Sequence, residues 1–303
     1  MKTLASVDIG SNGARLLIKT FEPNAEKGVV IRKVMYLRIP LRLGEDVFTI
    51  GKISKGRRNK MKHMLKAFRQ LMHLYHVDDY RACATAAMRD ASNGDKVIRQ
   101  AHRQTGIRLD IIKGKEEALL LRNNIVGHPD YQHGNFAFID VGGGSTEVSI
   151  ISDGQLISSH SYNVGTLRML SGKVEKEYWD QIRAELAGHA QGIDQLTIIG
   201  SGGNINKLYK LTAKKADTRR MTISDLRKIY ARLTAMTLEQ RMDTYGLHAD
   251  RADVIVPAAE IFLMAAEALA CQEIEVPNIS LADSIVDGLY NDKYTATAAG
   301  KTE

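Results

Sequence analysis

The sequence lacks the features that mark secreted and membrane proteins. Only two of its 303 residues are cysteines, Cys83 and Cys271, and their apolar surroundings predict buried thiols in a reducing compartment rather than a disulfide. The chain opens directly on a strand pattern, so we expect no signal peptide. The longest apolar run, 254–271, is interrupted by a proline and two glutamates, which indicates a buried helix rather than a membrane span.

Signals for a histidine-based metal site and for nucleic acid are also missing. The nine histidines show no metal-ligand spacing. Basic residues form two runs: 47–77 holds eight Lys or Arg and no acid, and 204–220 holds six with one acid. Aromatic residues do not interleave with either run, which argues against binding of single-stranded nucleic acid. The net charge of +7 favours an anionic partner, and the runs fit either solvated helix faces or the path of a long polyanion.

The most informative stretch is 138–150, in which two apolar runs flank three glycines and two hydroxyl residues. This pattern predicts a strand, a tight turn and a second strand, with backbone N–H groups of the turn open to an anion. Asp140 ends the first strand and Glu147 lies on the second, so both carboxylates can face one bound phosphate. Mg²⁺ would relieve their repulsion. The alternative is a glycine-rich hairpin that binds no ligand.

A second copy of this layout, 4–18, stands near the start of the chain. Asp8 matches Asp140 and the first glycines of the turns match, but Arg15 falls where Glu147 falls. Such self-similarity predicts the duplication of a whole domain. If the two hairpins face each other, one offers a cation to phosphate oxygens and the other an anion to a metal or a water, as a phosphate cleft requires.

The order of predicted elements extends the duplication to the fold. Three strands are followed by alternating helices and strands, and the pattern restarts at Asn135. This predicts an α/β protein with two ribonuclease H-like domains around an interdomain cleft, the architecture of actin, hexokinase and the sugar kinases. We expect an N-terminal domain over 1–127 and a C-terminal domain with a helical extension over 128–303, because turn-forming residues cluster at 127–134. The last helix could pack back on the first domain.

Three further stretches end predicted strands. The glycine turn of 199–204 opens a helix and suits a phosphate, although a plain turn has the same pattern. Arg89 can reach a cleft at the sheet edge, or it can pair on the surface with Asp90. The two acids of 114–118 fit a helix dipole, or one of them is a general base that acts on a water.

Together these stretches resemble the exopolyphosphatase and guanosine pentaphosphate phosphatase (Ppx/GppA) family over nearly the whole chain. The resemblance implies a cytoplasmic, Mg²⁺-dependent hydrolase that removes the terminal phosphate of inorganic polyphosphate or the 5′ phosphate of the alarmone pppGpp. It also suggests a homodimer. Longer members of the family add a helical C-terminal domain of the HD type, and because this chain contains no His-Asp dipeptide, it resembles the short two-domain form. The motifs that carry it are DIGSNGARLLI (8–18), ATAAMRDA (84–91), GKEEA (114–118), IDVGGGSTEV (139–148), GTLRM (165–169), IGSGGN (199–204) and EQR…GL…RAD (239–253).

Carried over by position, the resemblance makes Glu117 the catalytic base and Arg89 the phosphate-binding arginine of the catalytic set. It assigns the metal to Asp140 and Glu147. The expected phosphate-binding residues are Gly10, Ser11, Asn12, Gly13, Arg15, Thr85, Gly142, Gly143, Gly144, Ser145, Thr146, Gly200, Ser201, Gly202 and Gly203.

Three departures from the family pattern keep other functions open. Gly13 stands where a serine is usual, Leu119 where an arginine is usual, and Ser201 where a threonine is usual. A non-catalytic sensor that binds polyphosphate or a guanosine tetra- or pentaphosphate is one alternative, and an ATP-dependent kinase of the same superfold is another. The sequence does not separate polyphosphate from pppGpp as the substrate.

Overall fold

The computed structural model describes residues 1–24, 28–126, 131–212 and 218–295. These residues form two compact α/β units: Met1–Lys113 together with the segment that begins at Leu281, and Gly114–Ser280. The strands are β1 (Lys2–Ile9), β2 (Gly13–Asn24), β3 (Gly28–Pro40), β4 (Asp79–Ala84), β5 (Asp110–Ile111), β6 (Asn135–Val141), β7 (Thr146–Ser152), β8 (Gln155–Tyr162), β9 (Thr197–Ser201), β10 (Arg220–Thr222) and β11 (Glu273–Glu275). The helices are α1 (Leu43–Ile50), α2 (Lys55–Leu74), α3 (Ala86–Asp90), α4 (Gly94–Thr105), α5 (Gly114–Val126), α6 (Thr166–Leu170), α7 (Lys176–His189), α8 (Gly203–Thr212), α9 (Ile223–Thr234), α10 (Leu238–Tyr245), α11 (Ala249–Ala252), α12 (Ile255–Ala268) and α13 (Leu281–Tyr290), followed by a π-helical turn over Asn291–Thr295.

The two sheets have the same topology, which confirms the duplicated fold. In the first unit the order is β3-β2-β1-β4-β5, with an antiparallel meander of three strands and parallel pairs beyond it. In the second unit the order β8-β7-β6-β9-β11 repeats this arrangement strand for strand. The second sheet carries one addition, the short strand β10, which pairs antiparallel with β11.

The division into units differs from the predicted boundary at 127/128 at both ends of the second unit. The helix α5 belongs to the second unit because it packs on β7 and β8. The final helix belongs to the first unit, where Ser6 Oγ donates to the Ala282 carbonyl (2.6 Å) and the buried Lys19 Nζ contacts Asp283 Oδ1 (3.1 Å). Residues 127–130 of the expected linker and the tail from 296 onward lie outside the described residues.

Long apolar segments form the core of each unit. The run 254–271 is the helix α12 with its flanking residues, and two thirds of its residues are buried in the core of the second unit, as expected. Both cysteines are buried and reduced, and burial raises the pKa of the Cys271 thiol to about 12. The described helices include none with both the length and the apolarity that crossing a lipid bilayer requires.

Candidate functional site

Four polar side chains form a row across the second sheet at its glycine turn. Asp140 and Glu147 are direct partners in the β6–β7 ladder, so their side chains lie on the same face, as the sequence predicted. Ser201 is the partner of Asp140 on β9, and Ser161 is the partner of Glu147 on β8. Ser161 Oγ donates to Glu147 Oε1 (2.9 Å), which orients that carboxylate. We call these four residues the acidic row.

The turn between β6 and β7 presents backbone donors. Gly142 N donates to Ser145 O (2.9 Å) and closes the turn. The carbonyls of Gly142 and Gly143 accept from N–H groups at the start of α6 (3.0 and 2.8 Å), so the carbonyl side of the turn is occupied. Within the described parts of the chain, the N–H groups of Gly143 and Gly144 have no acceptor. This arrangement suits an anion at the N–H side.

Two residues of the GTLRM stretch hold this turn in place, a role that the sequence did not reveal. A Cβ atom on Gly165 would lie 2.5 Å from Gly144 N and 2.6 Å from Gly143 C, so only glycine allows this contact. Arg168 Nε donates to Gly144 O (2.7 Å). The motif was visible in the sequence, but its partners lie more than twenty residues away.

The third glycine turn lies beside the acidic row. Gly202 has φ +91°, and a Cβ atom there would lie 2.6 Å from Asp140 Oδ1, so the carboxylate approaches the turn where no side chain intervenes. Arg251, from the RAD stretch, donates through Nη1 to the Gly203 carbonyl. The sequence pattern of this stretch alone does not predict that contact.

Two predicted phosphate ligands have structural contacts in this unit. Thr146 Oγ1 donates to the Val164 carbonyl (2.6 Å), which joins β7 to the segment before α6. A Cβ atom on Gly200 would lie 2.8 Å from Ile205 Cγ1, so glycine allows α8 to pack against β9. These contacts explain why a threonine stands at position 146 and a glycine at position 200 even if neither residue binds a ligand.

Glu117 is buried, with 5% of its surface exposed, although it is an acid in the first turn of α5. Its neighbour Ala118 and, one turn further, Leu121 line a small cavity together with members of the acidic row. Ser201 Oγ opens into the same cavity, is 4% exposed, and has no hydrogen-bond partner in the part of the chain that the structure describes. The cavity is lined by Ala118, Leu121, Arg122, Phe138, Ile139, Asp140, Glu147, Ser149 and Ser201.

The first unit has a matching row of opposite charge. Asp8 and Arg15 are direct partners in the β1–β2 ladder and form an ion pair. Cys83 is the partner of Asp8 on β4, and Arg38 is the partner of Arg15 on β3. We call these four residues the basic row. Sequence reasoning found Arg15 but missed Arg38, whose position depends on strand pairing.

The first glycine turn is closed by the same backbone pattern as the second. Gly10 N donates to Gly13 O (3.0 Å), and the carbonyls of Ser11 and Asn12 accept from Gly44 N (2.9 Å) and Arg42 N (2.8 Å), at the start of α1. The hydroxyl of Ser11, in addition, accepts from the backbone N–H of Ala87 in α3 (3.1 Å).

Thr85 and Arg89 lie next to this turn in the fold of the first unit. Thr85 is buried, precedes α3, and donates its N–H to the Ile9 carbonyl at the end of β1 (3.1 Å). Arg89 is half-buried, and its Nη1 donates to the Ile112 carbonyl (2.9 Å). The structure thus brings Thr85 to the end of β1 beside the first glycine turn, whereas the Arg89 side chain bonds to the segment after β5.

The basic runs are in large part structural. In 47–77, Arg57 contacts two acids, and Arg58, Lys60 and Arg69 donate to backbone carbonyls. In 204–220 the described cations include an arginine paired with Glu275, while residues 213–217 lie outside the described chain. Neither run therefore presents all of its cations as a continuous surface for a polyanion.

A family model described as the Ppx/GppA phosphatase family matches residues 24–292. The chain belongs to the Ppx/GppA phosphatase family. The resemblance drawn from the sequence motifs is thereby confirmed. Among similar Ppx/GppA proteins, "Exopolyphosphatase 1" of Mycobacterium tuberculosis is 25% identical over 93% of this chain and 87% of its own length. "Guanosine-5'-triphosphate,3'-diphosphate pyrophosphatase" of Aeromonas hydrophila is 22% identical over 98% of this chain and 61% of its own length.

Solved structures of the Ppx/GppA family share the fold. An exopolyphosphatase from Cytophaga hutchinsonii superposes with a TM-score of 0.84 at 20% identity, covering 96% of this chain and 98% of that one. The family member from Aquifex aeolicus gives a TM-score of 0.76 at 21% identity, covering 97% and 99%. At these identities the likeness supports the fold alone, and it agrees with the repeated strand order described above.

The donor atoms of the acidic row fit a hard divalent cation. The Ppx/GppA phosphatase family is generally metal-dependent. Across the described residues, no group of three or more His, Cys, Asp or Glu side chains could hold a metal ion by itself. Asp140 and Glu147 could supply only two carboxylates, so water and phosphate oxygens would have to complete the shell of a cation held there. Mg²⁺ is commonly bound in this way, through one or two carboxylates with substrate phosphates.

Proposed function

We propose that this chain is a hydrolase of phosphoric anhydrides that releases the terminal phosphate of inorganic polyphosphate, the 5′ phosphate of pppGpp, or both. The observation that carries the proposal is the pair of opposed carboxylates, Asp140 and Glu147, beside a glycine turn with available N–H groups. The helix α5, which carries the buried Glu117, lines the same cavity as these carboxylates through Ala118 and Leu121. The names of the relatives, an exopolyphosphatase and a guanosine pentaphosphate pyrophosphatase, support the same substrates.

In the proposed reaction, a water attacks the terminal phosphorus in line with the bridging oxygen that leaves. Glu117 orients this water and accepts its proton. The N–H groups of the second glycine turn and of the first turn of α8, with Ser201, bind oxygens of the transferred group, while Arg15 and Arg89 neutralise phosphate charge; the N–H of Gly202 itself donates to the Ile279 carbonyl (3.3 Å). Asp140 and Glu147 would hold Mg²⁺, which supplies charge neutralisation at the phosphate oxygens. Positioning and charge stabilisation dominate such reactions because the transition state is loose.

The positions of two sequence departures favour catalysis over a sensor. Leu119 is 44% exposed, on the opposite side of α5 from the buried Glu117, so the missing arginine leaves the base in place. Gly13 belongs to the first unit, whereas the three carboxylates of the proposed mechanism all belong to the second. We assign the activity to the cytoplasm, because the family resemblance implies that compartment and neither cysteine forms a disulfide. The same resemblance suggests a homodimer.

The deciding experiment measures phosphate release from short-chain polyphosphate, long-chain polyphosphate and pppGpp in parallel, with and without Mg²⁺. We expect release from at least one substrate, and we expect EDTA to abolish it and added Mg²⁺ to restore it. The relative rates assign the substrate. Binding of polyphosphate without release would instead support the sensor. Formation of ADP from ATP together with a phosphorylated acceptor would support the kinase.

A further inference from the structure

Arg38 places a second guanidinium in the basic row. It is the direct ladder partner of Arg15, whose own guanidinium is paired with Asp8. Two guanidinium groups at directly opposed positions of a sheet concentrate positive charge, which suits the oxygens of a phosphoryl group. Arg38 is half-buried, so its guanidinium is within reach of a ligand.

The Arg38 guanidinium also lies against the first glycine turn. A Cβ atom on Gly13 would be 3.3 Å from both Nε and Nη2 of Arg38, and 3.2 Å from the Ile39 carbonyl oxygen. The guanidinium therefore borders the space that a side chain at position 13 would fill. Glycine at this position is what allows the arginine to approach the turn so closely.

The matched positions of the second hairpin show what this arrangement replaces. The closing bond from Gly10 N to Gly13 O corresponds to the bond from Gly142 N to Ser145 O, so Gly13 corresponds to Ser145. The second turn thus carries its own hydroxyl, and its neighbouring strand β8 supplies only Ser161. In the first unit the turn has no side chain at that point, and β3 supplies a guanidinium instead.

We propose that Arg38 binds a phosphoryl group of the substrate at the first glycine turn, in the place of the hydroxyl that Gly13 lacks. The inference rests on the proposed function and assigns to that site a substrate-binding residue on a third strand. A planar guanidinium suits this task because its N–H fork matches two phosphate oxygens at once. Because the contact is made before and during the reaction alike, its loss should weaken binding more than turnover.

The test compares Arg38→Gln with Arg32→Gln, a control on the same strand whose side chain is 70% exposed. We expect Arg38→Gln to raise KM for polyphosphate about tenfold to a hundredfold, as loss of a hydrogen bond to a charged group does, with kcat changed much less. Arg32→Gln should change KM less than about twofold, as exposed charges do. Arg38→Lys, which keeps a cation but loses the fork, should fall between wild type and Arg38→Gln.

Calorimetric titration of each Mg²⁺-free protein with polyphosphate gives a readout that needs no turnover. Thermal melting checks that the variants are folded. If Arg38→Gln is unfolded, Arg38→Lys takes its place in the comparison with Arg32→Gln. Equal KM and equal affinity in Arg38→Gln and Arg32→Gln, with an active wild type, would overturn the role of Arg38 and leave the proposed function standing. A wild type that binds polyphosphate without hydrolysing it would overturn the function, and the titrations would still decide Arg38. A wild type that neither binds nor hydrolyses would end both.

A second variant tests the link between Arg38 and the turn. In Gly13→Ser the new side chain requires the guanidinium to shift by a few tenths of an ångström, because the contacts are 3.2–3.3 Å. We expect Arg38→Gln to have a smaller effect in the Gly13→Ser background than in the wild type, since the serine hydroxyl replaces part of the lost donor. Additive effects of the two substitutions would contradict the proposed replacement.

Discussion

The two glycine hairpins have the same backbone and opposite charge. Each turn is closed by one N–H···O bond of the same pattern, 3.0 Å at Gly10 and 2.9 Å at Gly142, and each has its carbonyls occupied by the start of the helix that follows the third strand. Across the turn, however, the first hairpin opposes Asp8 to Arg15, and the second opposes Asp140 to Glu147. The duplicated fold therefore provides two equivalent frames on which side chains alone decide the chemistry.

The difference extends to the strands on either side. In the first unit the row adds Arg38, and the ion pair between Asp8 and Arg15 leaves the row with a net positive charge. In the second unit the row adds Ser161 and Ser201, so its two carboxylates face one another with hydroxyls as neighbours. The first row carries a net positive charge and the second carries two carboxylates, so the proposed phosphate-binding and metal-binding roles fall to different rows.

The turns also differ in how they are held. The first relies on a side chain, because Ser11 Oγ accepts from Ala87 N (3.1 Å). The second has glycine, Gly143, at the matching position, and relies on the close approach of Gly165 and on the bond from Arg168 Nε to Gly144 O (2.7 Å). Substitutions at matched positions should therefore have different consequences in the two units.

The largest effect should come from neutralising the acidic row. We expect Asp140→Asn to lower kcat at least as much as Glu117→Gln does, because a general base typically contributes about 10²–10⁴ in rate and a metal contributes several kcal/mol. Steady-state phosphate release at saturating Mg²⁺ measures both. Asp180→Asn, an exposed acid of α7, is the control and should match wild type.

The two site variants also separate binding from chemistry. Glu117→Gln should still bind polyphosphate in a calorimetric titration, because the glutamate acts on the water and not on the phosphate chain. An Asp140→Asn enzyme substantially faster than Glu117→Gln would contradict the roles assigned to the two carboxylates. Loss of polyphosphate binding in Glu117→Gln would mean that the residue is structural.

A smaller effect is expected when the clamp on the second turn is disturbed. We use this name for the contacts that Gly165 and Arg168 make with Gly143 and Gly144. In Gly165→Ala the new Cβ meets backbone atoms at 2.5–2.6 Å, so the turn must move. Such overpacking typically destabilises by about 1–3 kcal/mol, and the displaced turn should also lower kcat. Gly188→Ala is the matched control, because nothing lies within 4 Å of its added Cβ and alanine favours the helix. A Gly165→Ala protein as stable and active as Gly188→Ala would show that the clamp is dispensable.

Local signals were sufficient for the hairpins and for the long helices. The strand–glycine–strand pattern predicted the register in which Arg15 takes the place of Glu147, because side chains alternate regularly along a strand. Ser54 precedes an amphipathic pattern that runs to about His73 and so predicts the start of a helix; α2 begins there, and the Ser54 hydroxyl accepts from Arg57 N (3.3 Å). The apolar residues of 107–112 also predict a strand, but the strand that forms there, β5, covers only Asp110–Ile111. The helix α1 was missed because Arg42 precedes it without a capping side chain.

Contacts between distant segments were beyond the reach of local patterns. The assignment of α5 to the second unit depends on its packing against β7 and β8, which no linker composition encodes. Likewise, Arg38 joins the site only through the pairing of β2 with β3, and Arg251 only through its contact with Gly203. The sequence thus predicted the residues that the motifs contain and missed the residues that other strands and helices bring to them.

The smallest effect should appear at the side chain that distinguishes the first turn. Ser11 is 3% exposed, and Ser11→Ala removes the acceptor of the Ala87 N–H, which should lower the free energy of unfolding by about 1 kcal/mol. Amide hydrogen exchange should show faster exchange at Ala87, whereas Ser92→Ala, which removes an exposed hydroxyl, should leave it unchanged. The second turn has Gly143 at the matching position and uses no side-chain bond of this kind. In Ser11→Ala, exchange at the backbone N–H groups of α6 should therefore also be unchanged. Unaltered protection of Ala87 in Ser11→Ala would mean that the two turns are held alike.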